Sequence, residues 1–187
     1  MGYKTVGIEA FAVAADSEAI WLKDREPWLD GPLDADIPVH FAVQQLLVAH
    51  DTDPDDAALF VELPQETPKA GVVHSTSWRD AGPAVVLTYM VVVRVPGFVL
   101  GAWPDAAPVT PVLLAQTRKP LPHGPVAAPR SVFVSNVLSH GLRHLAFQTG
   151  QWGDVNIAAG LDRNMRRHLR QLKPGMAGMY SELADAS

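Results

Sequence analysis

The stretch from Val72 to Val95, VVHSTSWRDAGPAVVLTYMVVVRV, constrains the fold most strongly. Two runs rich in β-branched residues flank the sequence Asp-Ala-Gly-Pro, in which Gly and Pro supply the backbone angles of a chain reversal. The second run, Ala84 to Val93, is almost wholly apolar, which is typical of a central strand covered on both faces. These features predict a long β-hairpin over residues 72–95.

The turn also predicts a register for this hairpin. If Arg79 pairs with Ala84, His74 lies opposite Tyr89. A shift of one residue would exchange the two faces of the strand. Because side chains alternate along a strand, one face is expected to line a small-molecule pocket if no helix covers it. The residues assigned to this pocket are His74, Thr76, Trp78 and Tyr89.

Helical and strand patterns surround the hairpin. An apolar stripe after Asp36 predicts an N-terminal helix over residues 37–50. Apolar spacing predicts C-terminal helices over 132–148 and 163–173, the second capped by Asp162. Shorter stretches, predicted as additional strands, are residues 4–13, 18–23 and 57–63.

Strands come early in the chain and helices late, which favours an α+β fold over a repeated βαβ pattern. We therefore predict a single domain over residues 1–187, with an antiparallel sheet centred on the hairpin and packed by the three helices. Residues 96–130 hold half of the chain's 16 prolines and are predicted to form an extended connector with an edge strand near 109–116. This connector leads to a C-terminal helical segment, residues 131–187.

The chain has a formal net charge of −5, and its charges are unevenly distributed along the sequence. Acidic residues are concentrated in residues 1–66 and basic residues in residues 130–173. We expect the two regions to attract each other within the fold, and the acidic excess makes nucleic acid an unfavourable partner. The chain has no cysteine, which excludes disulfides and thiolate chemistry and predicts a cytoplasmic protein. The longest uncharged apolar run is too short to cross a bilayer, so no membrane association is expected.

The acidic segment DTDPDDAALFVE, residues 51–62, spaces its carboxylates like the ligands of an EF-hand calcium loop. The candidate calcium ligands are Asp51, Asp53, Asp55 and Glu62. However, Asp56 replaces the glycine that the turn requires, and Pro64 interrupts the exiting helix. A solvated acidic turn is the simpler interpretation.

Two histidines, His140 and His144, lie four residues apart and share one face of the predicted helix. Imidazoles on one face are suitable zinc ligands, and a third ligand could come from His74 or His50. The chain lacks an HExxH motif, so no general base accompanies the pair. The alternative is a pair of boundary histidines without a metal.

Basic side chains follow one face of the last predicted helix at positions Arg163, Arg166, Arg167, Arg170 and Lys173. The guanidinium group of arginine can donate two parallel hydrogen bonds to a phosphate or a carboxylate. We call these five residues the arginine stripe, and it is a candidate surface for binding an anion or a partner. The alternative is the solvated face of an amphipathic helix.

No Walker A, dinucleotide-glycine or GxSxG motif is present, and the sequence does not decide whether the protein is an enzyme. The leading hypothesis is a non-catalytic accessory protein that binds a protein partner or a second copy of itself. The alternative is a small, hydrolase-like enzyme that depends on a divalent metal, with calcium or zinc as the cofactor. A weaker alternative is nucleic-acid binding through the arginine stripe.

Overall fold

A computed structural model of the chain describes residues 5–23, 32–34, 46–47, 53–56, 58, 70–80, 84–94, 103–104, 106–109, 131–151 and 153–176. Its strands are β1 (Thr5–Ala15), β2 (Ile20–Leu22), β3 (Pro32–Asp34), β4 (Leu46–Leu47), β5 (Ala70–Asp80), β6 (Ala84–Val93), β7 (Ala107–Pro108) and β8 (Ser131–Phe133). Its helices are α1 (Val134–Gln148), α2 (Val155–Gly160) and α3 (Arg163–Leu169). The combination of one large sheet with helices confirms the α+β class.

Within the described residues, the large sheet has six strands: β5, β6, β1, β2 and β7 are neighbours in that order, and β4 pairs with β1. The predicted all-antiparallel sheet is wrong, because β1 and β6 run parallel from the pair Thr5–Ala84 to the pair Val13–Val92. The other pairs in this sheet are antiparallel. β1 is buried along residues 7–15, and strands covered on both faces are the kind that pair in parallel.

The predicted hairpin is confirmed as β5 and β6, but its predicted register is wrong. His74 pairs with Met90, and Tyr89 pairs with Ser75. The register shifts between Ser75 and Ser77, where Thr76 is an extra residue on β5. Such a bulge reverses the alternation of side chains, which turn chemistry alone does not reveal.

The two faces of the sheet are covered by different parts of the chain. The large core lies on the face toward α1, where Phe11, Met90 and Val92 pack with Leu138 and Leu142. A second cluster on the opposite face contains Ile8, Ala10, Tyr89, Val91 and Ala58. β6 is buried on both sides, as its apolar sequence predicts.

Glycines allow two close approaches beneath the helices. A methyl group at Gly141 of α1 would lie 2.7 Å from the sulfur of Met90, so the glycine lets the helix sit directly on β6. Gly160, at the end of α2, lies so close to Gly71 of β5 that a methyl group there would be 2.2 Å from the Gly71 carbonyl oxygen. The first contact fixes the position of α1 on β6, and the second fixes the end of α2 on β5.

Several predicted boundaries need correction. The helix predicted over 37–50 is wrong at Leu46–Leu47, which pair as strand β4 with β1; its other residues lie outside the described ranges. Pairing to the sheet has overridden the local helical pattern there. Residues 54–56 and 58 are helical, so the strand predicted over 57–63 is wrong at Ala58.

The C-terminal helices are confirmed with shorter bounds. Residues 131–133 form β8, which pairs with β3, so α1 begins after the first two residues of the predicted helix 132–148. α3 ends at Leu169 and not at Lys173, and Asp162 caps it by accepting a hydrogen bond from the backbone N–H of Met165. Within the connector, residues 107–108 form an edge strand just before the predicted one, and most of 96–130 lies outside the described ranges. Over the part of the chain that the structure describes, no helix is long and apolar enough to span a membrane.

Candidate functional site

Two histidines from separate elements meet beneath helix α1. His74 lies on β5 and points to the face that α1 covers, whereas His144 lies on the last turns of α1. Their Nε2 atoms are 3.1 Å apart, and the ring planes are inclined by only 12°. His144 is buried and His74 is half-buried, so the pair lies at the boundary between the core and solvent. The fold thus brings together two residues that are 70 positions apart in the chain.

Gln148 identifies which nitrogen of His144 carries the proton. Its Oε1 accepts a hydrogen bond from the backbone N–H of Asp154 at 3.2 Å, which directs its NH₂ group toward Nε2 of His144 at 3.3 Å. Nε2 of His144 is therefore an acceptor, and the proton of the neutral ring lies on Nδ1. His74 must then donate its Nε2 proton to Nε2 of His144.

The other nitrogen of His144, Nδ1, has no hydrogen-bond partner among the residues that the structure describes. This atom is buried. The backbone of Gly175 is close enough to favour the charged ring, but its geometry does not meet that of a hydrogen bond. A hydrogen bond weakens steeply once its distance or angle is poor, so this contact does not satisfy Nδ1. An unsatisfied buried donor costs about 1–3 kcal/mol, so packing elsewhere must offset it.

All three candidate histidines are held in their neutral form. Burial lowers the pKa of His140 to about 4, and the neighbouring His144 adds to this effect, while a hydrogen bond to the backbone of Thr76 opposes it. Burial also lowers the pKa of His144 and of His74. Neutral imidazoles have a lone pair available for a metal or a proton.

A row of buried polar side chains crosses the sheet beside the histidines. Thr76 on β5 donates to the backbone carbonyl of Thr88 at 3.4 Å, and the Thr88 hydroxyl donates to Oε1 of Glu9 at 2.5 Å. We call Glu9, Thr88 and Thr76 the polar row; each is at most 1% exposed. Glu9 was missed as a candidate, although a single acid inside the apolar run of β1 was a visible signal.

Asp154 and Asp55 are the acidic residues of the described chain whose charges act on His74, and the sequence patterns did not indicate the contribution of Asp154. Asp154 forms the N-cap of α2, and its Oδ1 accepts from the backbone N–H of Asn156 at 2.7 Å. Its negative charge acts on His74, where it opposes part of the lowering of the pKa by burial.

The candidate calcium ligands have other roles where they are described. Asp53 accepts a hydrogen bond from the backbone N–H of Asp55 at 2.9 Å, at the start of the helical residues 54–56. Asp55 accepts a hydrogen bond from the phenol of Tyr89. The pKa of this phenol is raised mainly by burial, and the hydrogen bond and the charge of Asp55 add to the effect. Asp51 and Glu62 lie outside the described residues.

The residues assigned to the hairpin pocket do not share a face. His74 and Thr76 face α1, whereas Tyr89 packs in the cluster on the opposite side of the sheet. Trp78 pairs with Leu87, a member of that opposite cluster, and is 54% exposed. The bulge at Thr76 causes this separation, because it reverses the alternation beyond that point.

The arginine stripe is exposed along its whole length. Arg167 already has a structural contact, since its guanidinium donates to the carbonyl oxygens of Asp16 and Ser17 in the β1–β2 turn. The basic C-terminal region therefore does meet the N-terminal region here, but through backbone oxygens.

The histidine pair has the spacing of two metal ligands. Two nitrogens bound to tetrahedral zinc at about 2.0–2.1 Å lie about 3.3 Å from each other, close to the observed 3.1 Å. Among the described residues, no group of three or more His, Asp or Glu side chains is already arranged to hold a metal. His140 is near His144, but its hydrogen bond to Thr76 directs it toward the sheet.

Comparisons with protein-family models, with curated proteins and with solved structures find no match to this chain. Function is therefore inferred from the residues and their geometry.

Proposed function

We propose that this protein binds a divalent metal ion, zinc in particular, between His74 and His144. The observation that carries the proposal is the separation of 3.1 Å between the two Nε2 atoms, which belong to strand β5 and helix α1. A metal placed between them would bind the lone pairs of both Nε2 atoms, and the Nε2 proton of His74 would move to Nδ1 of the same ring, so that both imidazoles would stay neutral. The neutral state of both rings favours this exchange, because little proton release would oppose it.

Such a site agrees with the hydrolase-like alternative. A metal held by few protein ligands keeps open positions for water and lowers the pKa of that water, which is the basis of metal-assisted hydrolysis. The half-buried position of His74 provides a route to solvent, whereas the core around Leu142 and Leu145 shields the other side. We therefore favour a small metal-dependent enzyme.

Titration calorimetry with zinc tests the proposal. We expect the wild-type chain to bind one zinc ion, and the variants His74→Ala and His144→Ala to lose at least about tenfold in affinity. His168→Gln is the matched control, since this histidine lies on α3 and contacts the backbone oxygen of Asp16. Circular dichroism would verify that each variant is folded. His74 is the less buried of the two histidines, so its replacement is the better tolerated. An unchanged affinity for zinc in His74→Ala would disprove the assignment of a metal site between His74 and His144.

A second candidate function is association with a protein partner or a second copy. Trp78 supports it, because this large side chain is 54% exposed at the end of β5, a terminal strand of the sheet. Exposed tryptophan is enriched at interfaces. Sedimentation of the wild type and of Trp78→Ser tests this candidate function. Concentration-dependent association that the substitution abolishes would support an interface at Trp78. A monomer in both cases would rule out self-association through this residue.

A further inference from the structure

We infer that Gln148 competes with the metal for Nε2 of His144 and thereby limits the affinity of the site. The inference rests on the proposed function and extends it to the regulation of the same site. Gln148 would be a positioning residue, because it acts on the metal through the imidazole of His144.

The lone pair on Nε2 of His144 is the group for which the two compete. This atom faces two donors, Nε2 of His74 at 3.1 Å and the amide nitrogen of Gln148 at 3.3 Å. A neutral imidazole has one nitrogen with a lone pair and one with a proton. Coordination to a metal uses that same lone pair, so a bound metal would remove the acceptor of the Gln148 N–H group.

The two donors respond differently to a metal. The imidazole of His74 can move its proton from Nε2 to Nδ1 and become a ligand itself. The amide nitrogen of Gln148 can only donate, so it has no equivalent response. Its N–H group must turn to solvent or stay beside a metal-bound nitrogen without an acceptor. In both cases one hydrogen bond is lost, and this loss opposes metal binding.

The other end of the amide prevents a rotation that would offer the metal an oxygen. Oε1 of Gln148 accepts from the backbone N–H of Asp154 at 3.2 Å. The chain turns tightly before this residue, since the N–H of Gly153 donates to the carbonyl of Gly150 at 3.1 Å. A methyl group at Gly153 would lie 1.8 Å from the carbonyl oxygen of Gln148, so the turn packs directly on the end of α1. A rotated amide would place its NH₂ group against the Asp154 N–H, so the orientation of the amide is fixed.

The other side of the His144 ring does not select the observed arrangement. Nδ1 carries the proton of the ring, yet it is buried without a hydrogen-bond partner among the described residues. The contact that favours this tautomer is therefore at Nε2, where Gln148 can only donate. Without Gln148, either imidazole of the pair could donate to the other, and His144 would populate both tautomers.

The variant Gln148→Met tests the inference, with Gln171→Met as its matched control. Methionine is similar in length to glutamine but has no N–H to donate, and Gln171 is exposed beyond the end of α3. In zinc calorimetry we expect Gln148→Met to bind about fivefold more tightly than wild type, the factor that corresponds to one hydrogen bond. Gln171→Met should bind zinc as the wild type does.

The tautomer of His144 provides a readout that a purely structural role of Gln148 would not change. Long-range proton–nitrogen correlation spectra, recorded with a chelator present, distinguish protonated from unprotonated ring nitrogens. Wild type and Gln171→Met should show His144 with its proton on Nδ1 alone. Gln148→Met should show a mixture of the two tautomers.

The outcomes separate the inference from the proposed function. If wild type binds zinc and Gln148→Met binds it equally tightly or more weakly, the inference is overturned and the proposed function stands. A single, unchanged tautomer of His144 in Gln148→Met would also overturn the inference. If wild type binds no zinc, the proposed function fails and the inference fails with it.

Discussion

Acidification should destabilise this protein well before its carboxylates titrate, because buried histidines must take up protons when it unfolds. An exposed histidine in the unfolded chain has a pKa near 6.5, whereas burial, reinforced by His144 and Arg143, lowers the pKa of folded His140 to about 4. Between these two values the unfolded chain binds more protons than the folded one. The free energy of unfolding therefore falls as the pH falls.

The magnitude follows from the shift. A change in the pKa of His140 from 6.5 to about 4 contributes about 3 kcal/mol to the free energy of unfolding. This contribution is fully present above the pKa of the unfolded chain. It is lost once the pH has fallen to the pKa of His140 in the folded protein. Between about pH 7.5 and about pH 5.5 the expected loss from His140 alone is about 1 kcal/mol. The lowered pKa values of His74 and His144 act in the same direction.

Urea unfolding followed by tryptophan fluorescence, with a chelator present, measures this dependence. The variant His140→Gln should be less stable near neutral pH, since it disturbs a buried hydrogen bond, but its stability should vary less with pH. Wild-type stability that stays constant or rises on acidification over this interval would refute the reasoning. An identical pH dependence in His140→Gln would exclude His140 as the cause.

Two further predictions concern the packing around the site. Gly160→Ala should destabilise the fold by about 2 kcal/mol or more, since the added methyl group would meet the backbone oxygen of Gly71 at 2.2 Å; an unfolding midpoint equal to that of wild type would contradict this contact. Thr88→Val should cost about 1–3 kcal/mol, because it removes the hydroxyl that donates to the buried carboxylate of Glu9. Chemical denaturation measures that loss, and unaltered stability would show that the Thr88–Glu9 bond is not needed.

Local sequence patterns were sufficient for the hairpin and for the class of fold. The turn residues and the apolar run of β6 depend on neighbours in sequence, so both were predictable. The parallel pairing of β1 with β6 was not predictable, because a local sequence pattern does not identify which strand pairs with which. The short strand Leu46–Leu47 shows the same effect, since its pairing with β1 replaces a helical pattern.

The candidate site was predictable only in its residue types. His144 and His74 were named as candidate ligands, and their meeting depends on how α1 crosses the sheet. The bulge at Thr76 is equally invisible in sequence, and it moved Trp78 away from the expected pocket. The contact between Gln148 and the backbone of Asp154 was not predictable either, because it depends on the tight turn at Gly153.

X-ray absorption at the zinc edge tests the central claim most directly. Zinc added to the wild-type protein should show two imidazole ligands, contributed by His74 and His144, with light oxygen atoms completing the shell. The imidazole signal should fall in His144→Ala and persist in His168→Gln. Zinc that is not retained, or a shell without imidazole, would contradict the assignment of a metal centre between β5 and α1.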